Sequence, residues 1–317
     1  MKEVTIMENI GLIVPCYNEE PSIKIFYDEV ERVFSEMHAN HVDYNHEYWF
    51  INDGSSDNTL EEIKKLREND ENVHYVSFSR NFGKESAMSA GLENVGGDYV
   101  AVMDVDLQDP PALLPQMIKY IKEDDYDVVG CVQKSRKQNF VRAFLSSSFY
   151  KVINKMSDVE IKQNVRDYRL MTRQYVDNVL KLTEYNRFTK GIFSWVGFKT
   201  KYIEYDGVER AAGESHWSLY QLLEYSLEGI VDFSDVPLKV ATWVGGVSFF
   251  LSLIGLIFVI LRAILFGGSV SGWPSLVSII LLINGVQLFC LGIVGNYIGK
   301  IYLETKHRPK YIVKEKK

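Results

Sequence analysis

The first 130 residues alternate between short apolar runs and amphipathic stretches. Residues 10–14, 48–51, 73–78 and 99–103 are short and largely apolar, the pattern of strands buried on both faces, and 128–132 adds another. Residues 22–37, the segment after Asp57, and 84–95 read as helices. Either Ser56 or Asp57 can cap the second of these. The order β-α-β-α-β-α-β predicts a doubly wound, mostly parallel α/β sheet. Its strands end in polar clusters, and in such a sheet those ends converge on one crevice.

The pattern changes after residue 133. Val141, Leu145, Phe149, Val152 and Met156 fall on one helical face, with Lys151 and Lys155 opposite; Lys134, Arg136, Lys137 and Arg142 add to a stretch without acids. A basic amphipathic helix reads as a membrane-surface element, and a helix packed on the sheet is the alternative. A second candidate is 216–231, where Leu219, Leu222, Leu223, Leu227 and Ile230 share a face. Residues 240–261 and 275–299 hold no charge, and a span of ~30 Å of hydrocarbon needs only about 20 residues. Gly267, Gly268, Gly272 and Pro274 break them into a hairpin, and Arg262 can snorkel. The connecting loop has no Lys or Arg, whereas Lys300, Lys306, Arg308, Lys310, Lys314, Lys316 and Lys317 follow the second span. The positive-inside rule then puts the tail in the cytoplasm, and two crossings put the N-terminal domain there too. Residues 309–313 read as a short strand returning to that domain.

Composition narrows the classes. A net charge of −7 argues against nucleic acid as a partner. Cys16, Cys131 and Cys290 have neither metal nor disulfide spacing, which suggests free thiols in a reducing compartment. No apolar signal core precedes the first strand, so no secretory leader is expected.

The strand at 99–103 stops at Asp104 and Asp106, and Pro110-Pro111 closes the turn and opens a helix. Hard oxygen ligands at the carboxyl end of a parallel strand suit Mg²⁺ or Mn²⁺, ions that usually also hold substrate phosphates. A second Asp-x-Asp, at Asp125 and Asp127, precedes its strand and so lies at the wrong end. The crevice collects Tyr17, Glu19, Asp53, Lys84, Asp104 and Asp106. For Asp53 alone, a helix-capping turn is the alternative. No Gly-x-Gly-x-x-Gly and no Gly-Lys-Ser/Thr loop is present, so a phosphate would be held by a metal and basic side chains. That points to a nucleotide diphosphate.

The succession Val14-Pro-Cys-Tyr-Asn-Glu19, Asn52-Asp-Gly-Ser-Ser-Asp57, Arg80-Asn-Phe-Gly-Lys84 and Asp104-Val-Asp-Leu-Gln-Asp-Pro-Pro111 resembles family 2 glycosyltransferases of the GT-A fold, in particular the polyprenyl-phosphate type. The resemblance runs nearly the whole chain. It implies that Pro15, Tyr17, Glu19, Asp53, Lys84 and Asp104 contact the nucleotide, and that Asp104, Asp106 and Gln108 hold the metal. Asn52 departs from the aspartate common in the family, and no ligand role is carried to it. Val165 to Met171, Arg187 to Gly191 and Arg210 to His216 resemble acceptor-side motifs, the last with histidine where the family has lysine. Arg166, Arg169, Arg187, Lys190, Arg210, Ser215 and His216 are the expected acceptor-phosphate residues. Asp104, Asp106, Asp167 and Arg210 are the expected catalytic set. Asp167 has a base-like role by resemblance; on physical grounds it can instead orient Arg169 or Arg210.

The implied organisation is a nucleotide-sugar-binding GT-A core at 1–132, an acceptor and membrane-interface region at 133–235, two transmembrane helices at 236–299 and a basic tail at 300–317. The implied reaction moves a hexose, glucose or N-acetylglucosamine, with inversion from a UDP-sugar to polyprenyl phosphate at the plasma membrane. A homo-oligomer and a small membrane flippase are left open as partners. Three other classes are the alternatives. A polysaccharide synthase lacks support because Gln-x-x-Arg-Trp is absent and only two spans are present. A channel or transporter would need more spans or polar residues inside them, and Asn284 and Gln287 are thin support for that. An inactive sugar-nucleotide scaffold is at odds with the intact Asp104/Asp106 pair.

Overall fold

The computed structural model describes residues 7–134, 154, 162, 165–185, 187, 189–206, 236–266 and 272–317. The helices expected at 141–156 (Asn154 apart) and 216–231, and Arg210, Ser215 and His216, lie outside the described residues. The chain forms two units: Met1–Asn154, Val159–Leu223 and Pro309–Lys317 make the first, Lys155–Asp158 and Glu224–Arg308 the second.

The first unit is built on an eight-stranded sheet. β1 (Asn9–Cys16) is flanked in parallel by β2 (Asn45–Asn52) and β4 (Tyr99–Val102), and β3 (Val73–Phe78) continues in parallel beyond β2. Crossover helices join them: α1 (Glu20–Ala39), α2 (Thr59–Asn69) and α3 (Lys84–Asn94). Pro21 fits the first turn of α1, where no backbone donor is needed. Ile23, Phe26, Val30, Val33 and Met37 recur every three or four residues, and this stripe packs on Leu12, Val14, Tyr48 and Phe50. One 3₁₀ turn at Pro111–Leu113 leads into α4 (Leu114–Asp124), and β5 (Val128–Gln133) follows.

The sheet is mostly parallel, as expected, with antiparallel pairings added. β6 (Val165–Thr172) inserts antiparallel between β4 and β5, and β7 (Thr200–Tyr205) runs parallel to β5 at the edge. Helices α5 (Arg173–Leu180) and α6 (Thr189–Trp195) lie between them in sequence. The stretch 165–172 did not read as a strand because Arg166, Asp167 and Arg169 break its apolar run. Arg169 is nonetheless 5% exposed, and Tyr168, Leu170 and Met171 are buried around it.

The returning strand exists but is displaced. β8 (Val313–Lys316) pairs antiparallel with β3, while Tyr311 stacks on Phe78 with ring centroids 4.7 Å apart. Tyr75 donates to Glu315 at 2.6 Å. Charged residues supply this pairing because it lies at a sheet edge, where lysine and glutamate discourage further strand addition.

The second unit is a pair of long helices, α7 (Val236–Phe266) and α8 (Trp273–Thr305). Within them Val236–Gly255 and Leu282–Thr305 are long and apolar enough to cross a membrane. Phe249 and Ile264 are 64% and 74% exposed, an outward apolar surface that water would not tolerate at this extent. These helices associate with the membrane.

Candidate active site

The carboxyl ends of β1, β2, β3 and β4 share one edge, and the loops that follow them enclose a cavity of about 330 Å³. Pro15, Tyr17, Glu19, Asp53, Lys84, Asp104 and Asp106 all line it, together with Cys16. Tyr17 is 48% exposed, whereas Asp53 and Asp106 are buried.

The loops are tied to one another before any ligand arrives. Asn18 adopts the left-handed region (φ 54°), which lets its Oδ1 accept from Ser56 N at 2.8 Å. Glu19 N donates to Thr59 Oγ1 at 2.8 Å. Asp57, and not Ser56, accepts from Thr59 N at the start of α2 at 3.0 Å, and it also accepts from Glu20 N at the start of α1 at 3.2 Å. Gly54 has φ 65°, and a Cβ there would sit 2.3 Å from the carbonyl carbon of Arg80, so only glycine lets the loops approach this closely.

Asp53 uses both carboxylate oxygens on the backbone of the next loop. It accepts from Phe82 N at 2.6 Å and Gly83 N at 2.9 Å. Burial pushes its pKa up, and those two donors offset part of the rise. Asp53 thus fixes the loop that presents Lys84.

Lys84 bridges two carboxylates: its Nζ lies 2.7 Å from Asp104 and 2.6 Å from Asp167. β6 explains the meeting. Val102 on β4 pairs with Arg169 on β6, and the antiparallel register continued by two residues sets 104 opposite 167. Burial disfavours ionisation of Asp167, but Lys84 and then Lys190 outweigh it, and the carboxyl stays well below its usual range. Burial likewise opposes charge on Lys84, and Asp104 and Asp167 overcome it. Asp167 does not orient Arg169 through its carboxylate; Arg169 Nε donates to the Asp167 backbone carbonyl at 3.2 Å, and its guanidinium covers the Phe193 ring at 3.9 Å.

The other basic residues are dispersed. Arg166 Nε reaches the buried Asp109 at 3.0 Å, and its Nη2 donates to Gln108 Oε1 at 3.1 Å. Tyr205 donates its hydroxyl to Asp109 as well. Arg187 Nη1 donates to Leu182 O at 2.8 Å, while its Nη2 is buried with no partner among the described residues. Lys190 feels burial first, which lowers its pKa, and Asp167 opposes the change.

The donor chemistry fits a divalent ion held by Asp104 and Asp106. Both offer hard oxygens to the same cavity. Among the described residues no group of three or more His, Cys, Asp or Glu forms a closed cage. Two carboxylates with the remaining shell left to water and phosphate is the usual Mg²⁺ arrangement. Gln108, expected as a third ligand, has its side-chain oxygen turned to Arg166.

One group carried no sequence signal. Glu85, next to Lys84, accepts from Thr189 N at 3.2 Å and from its hydroxyl. Burial raises its pKa to about 7, against those two donors. The partners are 104 residues apart in sequence, beyond any local pattern.

Residues 12–180 match glycosyl transferase family 2, and residues 236–301 match the GtrB C-terminal hairpin. CsbB of Bacillus subtilis (strain 168), a protein assigned as a glycosyltransferase, is 44% identical over 306 residues, 96% of this chain and 91% of its own. The bactoprenol glucosyl transferase of Shigella phage SfV is 43% identical, covering 97% of this chain and 99% of its own. The prophage bactoprenol glucosyl transferase homolog of Escherichia coli (strain K12) is 42% identical over the same shares.

Proposed function

The chain belongs to glycosyl transferase family 2 and is a glycosyltransferase; on that premise we propose that it transfers glucose from UDP-glucose to a polyprenyl phosphate, with inversion. The relatives named bactoprenol glucosyl transferase support the sugar and the acceptor class. The observation that carries the mechanism is the Lys84 bridge, which joins the donor cavity at Asp104 to the acceptor-side strand at Asp167.

The nucleotide sugar enters the cavity with its base toward Tyr17 and Asp53 and its diphosphate toward Asp104 and Asp106. Asp104 and Asp106 are the residues that would hold a divalent ion, which would supply charge stabilisation for the departing diphosphate. A phosphate monoester has a second pKa of about 6, so the acceptor is mostly dianionic at neutral pH. Its oxygen attacks the anomeric carbon, the bond to the diphosphate oxygen breaks on the opposite face, and UDP leaves with the electron pair. No proton need be removed, so Asp167 serves as an anion that holds Lys84 in place. Lys84 and Lys190 offset the repulsion between acceptor phosphate, diphosphate and carboxylates. Arg187, with its buried Nη2, and Arg166, Arg169, Arg210, Ser215 and His216 complete the proposed acceptor side.

In sequence, Glu224–Arg308 of the second unit lies between segments of the first, Val159–Leu223 and Pro309–Lys317. Two crossings therefore return the chain to one side, and the basic tail favours the cytoplasm for both. The test is purified full-length protein in detergent with undecaprenyl phosphate and radiolabelled UDP-glucose or UDP-N-acetylglucosamine. A glucosylated lipid of inverted configuration is expected. Donor hydrolysis without lipid product, or transfer only of N-acetylglucosamine, would overturn the reading.

A further inference from the structure

Lys84 and Glu85 are consecutive at the start of α3 and reach in different directions. Lys84 takes the donor side, at Asp104, and Asp167. Glu85 takes α6: one of its oxygens receives both the backbone N–H and the hydroxyl of Thr189, the first residue of that helix. Thr189 is 2% exposed, so its side of this contact is inside the fold. The next residue is Lys190, whose principal electrostatic partner is Asp167. Arg187, two residues earlier, also lies in the field of Glu85. The strand and the helix that carry the acceptor-side cations are thus referred to a single dipeptide. A carboxylate largely withdrawn from water and held by the two neutral donors of Thr189 costs free energy, which a purely structural contact could avoid with a neutral pair.

We propose that Glu85 is a positioning residue for the acceptor: through Thr189 it fixes the start of α6 so that Lys190 stands beside Asp167, where a lipid phosphate is received. The inference rests on the proposed transferase reading for its substrate, but the contact itself can be tested without it. Glu85 touches no reacting atom in this scheme. It acts by holding the start of α6, and with it Lys190, relative to the end of α3 that carries Lys84.

The experiment compares Thr189→Val, which keeps shape and removes the hydroxyl, with Glu85→Gln and Glu85→Ala in the full-length protein. Three quantities are read: the KM for undecaprenyl phosphate, the Kd for UDP by calorimetry, and the rate at which an amine-reactive reagent labels Lys190, by mass spectrometry. The expected result for Thr189→Val is an acceptor KM raised about tenfold, the loss of one hydrogen bond to a charged group, and Glu85→Ala, which loses both bonds, raises it at least as much. UDP affinity stays within about twofold, because the donor ligands are untouched, and Lys190 labels faster. Glu85→Gln keeps an acceptor oxygen and recovers most of the KM. An active variant set with unchanged acceptor KM overturns the proposal whatever the labelling shows, as does an equal loss of UDP affinity. If the wild-type protein transfers to no polyprenyl phosphate, the transferase reading fails and labelling alone decides. Faster labelling in Thr189→Val then supports the contact, and unchanged labelling refutes it. Should Glu85→Ala fail to fold, the valine and glutamine variants carry the test.

Discussion

Replacing Lys84 by methionine removes the charge and keeps most of the stem. The side chains of Asp104 and Asp167 are 19% and 18% exposed, so each depends on Lys84 more than on water, while Lys84 itself is 45% exposed. Two hydrogen bonds between charged groups contribute about 1.5–3 kcal/mol each. Screening at a half-exposed ammonium takes back part of that, leaving about 3 kcal/mol, or roughly a hundredfold in kcat/KM. The variant should also change its response to pH. In the wild type, Asp167 has a depressed pKa, so its contribution is present above the ordinary carboxylate range and is lost only in strong acid. Without Lys84, burial dominates and the pKa rises. A raised carboxyl contributes stability that is lost as pH rises, so the gap in Tm between wild type and variant should widen from pH 5 to pH 8. Initial rates with UDP-glucose and undecaprenyl phosphate, and thermal scans across that range, give both numbers. Lys84→Arg should recover part of the rate. A methionine variant within threefold of wild type, with a Tm gap independent of pH, would refute the bridge as a functional contact.

Other expectations follow from the same geometry. Asp106→Asn should lose transfer with little change in Tm, and EDTA should silence the wild type until Mg²⁺ or Mn²⁺ is restored; full activity in EDTA would exclude the metal role. Gly54→Ala should destabilise by about 2–4 kcal/mol, because its φ of 65° and the 2.3 Å approach of Arg80 leave no room for a methyl group; chemical denaturation measures this. Glu85 has a folded pKa of about 7, above its ordinary value, so stability should fall between pH 5 and pH 7 as it ionises. In Glu85→Gln that slope should flatten, and an unchanged slope would mean that Glu85 does not titrate there. His216→Lys should hold activity further into alkaline pH, since histidine has an unperturbed pKa of ~6.5 and lysine stays charged; identical pH–rate profiles would leave the phosphate to Arg210.

The donor half of the site was legible because its groups follow apolar strands directly. Tyr17, Asp53 and Asp104 stand one to three residues beyond runs that could only be buried strands, and parallel strands deliver such residues to one edge. What local pattern could not convey was pairing. Asp167 was visible as a charged residue, but its meeting with Lys84 depends on β6 lying antiparallel to β4, and β6 was hidden by its own arginines. Asp53 looked like a ligand or a cap, and it spends both oxygens on the backbone of Phe82 and Gly83. Glu85 was one acidic residue among many until Thr189 met it. The two long helices were the easiest element, since an uncharged run of that length has few other fates.

β8 has a consequence for how the protein is made. Tyr75 on β3 and Glu315 on β8 stand 240 residues apart, and both spans lie between them in the chain. On the ribosome, β3 is completed early, with one row of its backbone donors and acceptors open to any other strand. The chain that will cover it emerges only after the hairpin has been synthesised. Completion of the catalytic unit's sheet is thus chronologically last, behind synthesis of the hairpin, and a nascent chain stalled before that point presents a bare β-edge to chaperones and to its neighbours.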